Sequence, residues 1–323
     1  MTYISPTISD CVTHVKRLLN SNTRTELDAV GETLTSGTDT TLKLKYNTDG
    51  VRAGSYLSLT NGDYPPETVY VHSRNDNNVV IQRGIDGSTA RGWEIDATTI
   101  EVEPRFSAHQ ILEAVRDSIR SLPNNLYGVG TTSVTFSSTS TQAVDASALN
   151  DQDHGTPGTG FYHVLSATRT AKNNEDRLLE INVTVQRQTD GTYKVIRQEG
   201  IEKAVTVNLI YAHPFKTGTL NMDTRLDTNS GSGIGMLDSM RDIPALGAGS
   251  SLLLGEESLR LDLHAQGDSR SDVSVAAGDR ARYSMILQGQ YDRRVSEEAR
   301  RLMSLYGIRS GASVSSVFPT TLR

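Results

Sequence analysis

The 323-residue chain sets 32 Lys and Arg against 38 Asp and Glu, giving a formal net charge of −6, and it contains one cysteine. Apolar residues make up 36% and aromatics 6%, too little for one large core, while Ser and Thr together reach roughly a fifth, a composition that favours strands, turns and caps. No run nears the roughly 18 apolar residues of a membrane span, the opening MTYISPTISD reads as no secretory leader, and one cysteine excludes an internal disulfide, a cysteine-built zinc site and, with the acidic balance, leaves no broadly basic nucleic-acid surface.

Residues 1–31 read as a first core helix, because Ile8, Val12, Val15 and Leu19 recur every three to four positions from about Pro6 to Asn20. Residues 32–105 read as a first β insert. Alternating runs at Thr41–Tyr46, Tyr56–Leu59, Val69–Val71 and Val79–Ile81 are separated by turn signals at Thr48-Asp49-Gly50, Asn61-Gly62-Asp63 and Asp86-Gly87, as in a small barrel or sandwich. A second core helix occupies residues 106–127, with Ser107 as N-cap, a stripe of Ile111, Leu112, Val115, Ile119 and Leu122, and Pro123 ending it.

A second β insert spans residues 128–220, with strands expected at Phe161–Val164, Leu179–Gln188, Tyr193–Arg197 and Val205–Tyr211. Asp190-Gly191 is its hairpin signal, and the polar stretch Ser137–Gly160 is expected to be an exposed loop. Threonine then vanishes between Thr228 and Thr320, and residues 221–306 read as two helices. One runs from about Met236 to Glu257, restarting at Asp242-Ile243-Pro244 and burying Leu246, Leu252, Leu253 and Leu254. The other runs from about Ala277 to Tyr306, with Tyr283, Leu287, Tyr291, Val295, Leu302 and Tyr306 on one side. Arg293–Glu297, Arg294–Glu298 and Glu297–Arg301 pair on its solvated side, and Gly307 stops it. Residues 307–323 form a polar tail. The expected fold is therefore α+β: a four-helix core assembled from distant chain segments, two β-rich inserts and an extended C-terminal tail.

No catalytic signature emerges. There is no Gly-x-Ser-x-Gly elbow, and Cys11 sits on the amphipathic helix, where a small buried thiol is the plain reading. The histidines His14, His72, His109, His154, His163, His213 and His264 lack metal-ligand spacing. The loop Asp223–Gly231 is oxygen-rich without the alternating ligands or closing Glu of an EF-hand. Gly231-Ser-Gly-Ile-Gly235 lacks both a preceding strand and the Lys-Ser/Thr of a phosphate loop. No cofactor or metal is expected.

Two stretches carry a resemblance. The first is Val80–Ala90, VIQRGIDGSTA, followed by Ile100–Phe106, IEVEPRF, and the helix leading to Leu126-Tyr127. The second comprises Tyr211–Phe215, YAHPF, Leu252–Glu256, LLLGE, and Arg293–Leu302, RRVSEEARRL. Together these resemble head-to-tail adaptor (connector or neck) proteins of tailed bacteriophages over roughly half the chain. The resemblance implies a structural virion protein with a helical bundle core carrying β inserts, and no enzyme. Such proteins form a homo-oligomeric ring, typically twelve-fold, beneath the portal protein. The ring joins the capsid to tail or neck proteins, and genome DNA passes its lumen without specific binding; no membrane is involved.

On that reading Val314, Val317, Phe318 and Leu322 are candidate portal-binding anchors in the tail. Arg105, Arg293, Arg294, Glu297 and Glu298 are candidate subunit-interface residues. A negative charge suits a channel that must not hold phosphates, and plain solubility explains it equally. Two other readings stand beside the adaptor. One is a minor tail or fibre-type protein binding host surface glycans through its β modules. The other is a wall or polysaccharide hydrolase, which the single tryptophan, Trp93, disfavours because sugar clefts usually stack on several aromatics.

Overall fold

The computed structural model describes residues 6–19, 24–26, 33–34, 38–45, 50–61, 64–94, 97–137, 143–145, 163–171, 174–188, 192–197, 205–215, 220–226, 233–265 and 278–306. In chain order the elements are α1 (Ile8–Leu18), β1 (Arg24–Glu26), β2 (Thr41–Lys43), β3 (Tyr56–Thr60), β4 (Glu67–Asn75), β5 (Asn78–Ile85), β6 (Thr99–Val102) and α2 (Ala108–Arg120). Then follow β7 (Gly128–Phe136), β8 (Ala143–Asp145), β9 (His163–Ala171), β10 (Asn174–Glu180), β11 (Val183–Arg187), β12 (Tyr193–Arg197), β13 (Val205–His213), α3 (Ile243–Ala265) and α4 (Asp279–Tyr306). The fold is mixed α+β with four helices and antiparallel sheets. The chain divides into two compact units, one of Met1–Ser121, Thr219–Leu226 and Asp238–Arg294, the other of Leu122–Gly218, Asp227–Leu237 and Val295–Arg323.

In the first unit α1, α2 and α3 pack on one another. Both short helices are set by their caps. The Thr7 hydroxyl accepts from the Asp10 N–H while the Asp10 carboxylate accepts from the Thr7 N–H at 2.8 Å, and Ser107 and Gln110 repeat the exchange for α2. Such reciprocal caps satisfy N–H groups that a helix cannot satisfy internally. Two more donors of α1 are met from far along the chain, Ile8 N–H by the Thr224 carbonyl and Ser9 N–H by Met222, both at 3.0 Å. The stripe Ile8, Val12, Val15 and Leu19 is buried as the spacing requires, and so is Ile111, Leu112, Val115 and Ile119.

The first β insert is a six-stranded sheet ordered β1-β6-β3-β4-β5-β2. Its core of Leu34, Leu42, Leu44, Val51, Leu57, Leu59, Val69, Val71, Val79, Ile81, Trp93, Ile100 and Val102 comes wholly from the insert, so the sheet curls around its own side chains as a half-barrel. The second insert, in the other unit, pairs a four-stranded sheet, β10-β9-β13-β7, with a three-stranded one, β11-β12-β8. Val134, Phe136, Val164, Val207 and Leu209 from the first meet Val183, Val185, Tyr193 and Val195 from the second, which is a sandwich.

Several expectations change. The run Leu179–Gln188 is two strands in different sheets, broken at Ile181-Asn182, where the Ile181 N–H donates to Ala167. Ala143–Asp145 lies in the expected loop yet is a strand paired with β12. Asp190-Gly191 lies outside the described residues, but β11 and β12 around it pair from Val183↔Arg197 to Arg187↔Tyr193, as a hairpin must. Helix α3 begins at Ile243 after a 3-10 turn at Asp238–Met240, seven residues later than expected. Leu246 and Leu253 are buried, but Leu254 is 59% exposed, because consecutive residues turn by about 100° and three leucines in a row cannot share a face. Tyr283 is 40% exposed and lies at the rim of its stripe.

One charged group sits inside the half-barrel. Glu67 is fully buried, and its carboxylate accepts from Arg83 Nε at 2.9 Å and Nη2 at 2.6 Å, from the Gly84 and Arg91 N–H groups at 3.2 Å, and from Trp93 Nε1 at 2.7 Å. A buried carboxylate persists only with its charge paired and its lone pairs filled, as these are. Removing the carboxylate strands Arg83 and three further donors. Glu67→Ala should therefore lower unfolding stability in denaturant titrations by about 3–5 kcal/mol, with Glu67→Gln retaining part of it.

Candidate functional site

A cleft of the first unit, about 790 Å³, is lined by Pro6, Asp10, Cys11, His14 and Arg17 of the α1 region, by Leu226, by Asp238, Ser239, Arg241 and Asp242 before α3, and by Arg294 of α4. Its floor is the buried thiol of Cys11, which donates to the Arg241 carbonyl at 3.6 Å. The juxtaposition of Cys11, His14 and Asp10 has the composition of a nucleophile site. Its chemistry is otherwise, because burial, with lesser contributions from Asp10 and Asp242, pushes the thiol up to about 12, and the reactive species is the thiolate. Across the cleft Arg294 grips Asp242 through Nε at 2.8 Å and Nη2 at 3.2 Å, and donates to the Ser239 carbonyl at 2.7 Å. This fastens α4 to the turn that precedes α3.

A second ionic group ties the same helices farther along α3, at Glu256. Glu256 receives Arg105 Nη2 at 2.6 Å and Arg280 Nη1 at 2.7 Å, and the Arg105 guanidinium also lies 5.3 Å from the Phe106 ring centre. Between these clamps Ser250 and Ser284 exchange bonds, with the Ser284 hydroxyl donating to the Ser250 carbonyl at 2.8 Å, and Gly247 lets Ser118 and Tyr291 come close. Two candidate interface residues, Arg105 and Arg294, are thus engaged within their own unit. Arg293 is exposed on α4, and Glu297 is half-buried. Glu298 corrects the sequence reading: it is 4% exposed rather than on the solvated side, and it accepts from Arg301 Nε at 2.7 Å, one turn on at i+3. The anchor candidates Val314, Val317, Phe318 and Leu322, like Gly307 and most of the Asp223–Gly231 loop, lie outside the described residues.

The matched segment Val80–Ala90 acquires a physical explanation here. Arg83 and Gly84 are donors to Glu67, and Gly84 and Gly87 stand at φ of +65° and +79°, where a side chain is strained. No family model matches the chain, and no curated protein matches it. The adaptor resemblance therefore rests on the quoted residues alone.

His109, which is buried, and His163, which is half-buried, give the protein a defined acid response. Burial lowers the pKa of His109 and of His163. Each is neutral when folded and protonates more readily when unfolded, so their contribution is complete above about pH 6.5, the ordinary histidine value, and is lost as pH falls through the folded values. Chemical denaturation should show stability falling from pH 7.5 to pH 5, with a shallower fall in His109→Gln. Cys11 is a second reporter. Its reaction with a disulfide reagent at pH 8 should be on the order of a thousandfold slower than a free thiol's, and should reach the free-thiol rate in denaturant.

Proposed function

We propose that the protein is a head-to-tail adaptor of a tailed-phage virion, forming a ring beneath the portal that joins capsid to tail and lets the genome pass. The observation that carries this reading is the assembly of α1, α2 and α3, drawn from residues 8–18, 108–120 and 243–265, into one packed layer, with a β module emitted at each gap in the sequence. That is the layout the resemblance implies. In this reading α4 completes a four-helix core, and subunits meet through a heterologous interface that closes by rotation.

The ring, twelve-fold in the family resembled, presents the tail residues Val314, Val317, Phe318 and Leu322 to the portal and the β modules to tail or neck proteins. Subunit contacts involve exposed α4 charges such as Arg293. With −6 per subunit the lumen repels DNA phosphates and lets the genome slide. Electron microscopy and native mass spectrometry of the purified chain should show closed rings of about twelve copies; a monomer at every concentration would sink the proposal. Deleting Gly311–Arg323 should leave the fold intact and abolish portal binding in a pull-down.

A second reading, a minor tail or fibre-type protein that binds glycans, draws support from one surface. Tyr56, 46% exposed, Tyr70 and His72 form an edge-to-face row on the outer side of the half-barrel, with ring centres 5.3 and 5.1 Å apart. Glycan-array binding that disappears in Tyr56→Ala would favour it over the adaptor.

A further inference from the structure

The outer side of the half-barrel carries a line of buried polar atoms without a hydrogen-bond partner among the described residues. Glu101 on β6, Ser58 on β3 and Thr68 on β4 are direct cross-strand neighbours, Ser58 being in register with both. Leu57, Leu59, Val69, Ile100 and Val102 on either side of them point into the half-barrel core, so these three point the other way, toward the helices. Lys16 of α1 bonds Glu101 through Oε1, and α2 lies across β3 and β4. All three residues are more than nine-tenths buried, yet Glu101 Oε2, Ser58 Oγ and Thr68 Oγ1 have no hydrogen-bond partner.

On α2, which packs on β3 and β4, His109 Nδ1 is likewise buried and without a hydrogen-bond partner among the described residues. Three orphaned atoms on directly opposed residues are unusual where nearly all buried polar groups are paired.

We propose that this seam between the half-barrel and α1 and α2 is a binding site for a row of internal water molecules. Directly opposed residues have Cβ atoms about 4.5–5.5 Å apart, so their side-chain oxygens are near enough for one bridging water. They do not bond one another directly. The charge on Glu101 is already matched by Lys16, which disfavours a cation. Glu101 Oε2 requires a donor, and the two hydroxyls both donate and accept. Water alone among common small species meets all three demands, and a polar pocket with two to four partners is where buried water is held. The inference is independent of the adaptor reading.

The isosteric change Thr68→Val tests it. In a dry seam this variant removes an unsatisfied hydroxyl and raises Tm; in a hydrated one it takes a partner from a bound water and lowers Tm by several degrees. A crystal structure of the full chain should show ordered waters on Ser58 Oγ, Thr68 Oγ1 and Glu101 Oε2. A seam without them, or a Thr68→Val variant with equal or higher Tm, overturns the proposal.

Discussion

A carboxylate taken out of water has to bring its neighbours with it, and the half-barrel is organised around that requirement at Glu67. The donors come from the end of β5, at Arg83 and Gly84, and from Arg91 and Trp93 on the stretch that follows. Satisfying one side chain therefore folds the Ser88–Trp93 segment onto the open end of the sheet. Trp93, the largest buried side chain of the insert, is held there by its own indole N–H. The apolar residues contribute the stabilisation, while the buried pair selects a single arrangement of strands and turn. A thin composition can specify a fold this way, because specificity comes from a few fully satisfied polar groups rather than from core volume.

The helical layer uses a different logic. Its contacts with α4 are ionic at both ends, Arg294 on Asp242 and Arg105 with Arg280 on Glu256, and these pairs are partly open to solvent. Such pairs contribute little stability each. They fix direction instead, placing the middle of α4, at Arg294, beside the start of α3 and its first turn, at Arg280, beside Glu256. The hydroxyl pair Ser250–Ser284 and the close approach at Gly247 set the spacing between them.

How much of this could be read from the sequence follows physical range. Local signals were legible: Ser107 with Gln110 is a cap written within four residues, and the stripes of α1 and α2 repeat at helical spacing. The alternating runs of the half-barrel were legible for the same reason. Strand β7, GVGTTSVTF, went unread because its threonines and glycines carry little apolar alternation, although its register with β13 runs unbroken from Gly128↔His213 to Phe136↔Val205. Glu67 went unread because a charged residue beside two prolines signals a turn, and its donors lie 16 to 26 positions away. Arg294 resembled half of a helical i,i+4 pair, whereas its grip on Asp242 spans 52 residues. The cleft around Cys11 joins four separate segments and has no local signature.

Both inserts share a property of their necks. The half-barrel's first and last strands are neighbours, with Arg24 opposite Val102, and the sandwich opens and closes on one pair, with Gly128 opposite His213. In each case the chain departs and returns at the same place. Either module is thereby a cassette: lineages can lengthen it, trim it or exchange it for another that starts and ends on paired strands, while the route of the helical layer stays as it is.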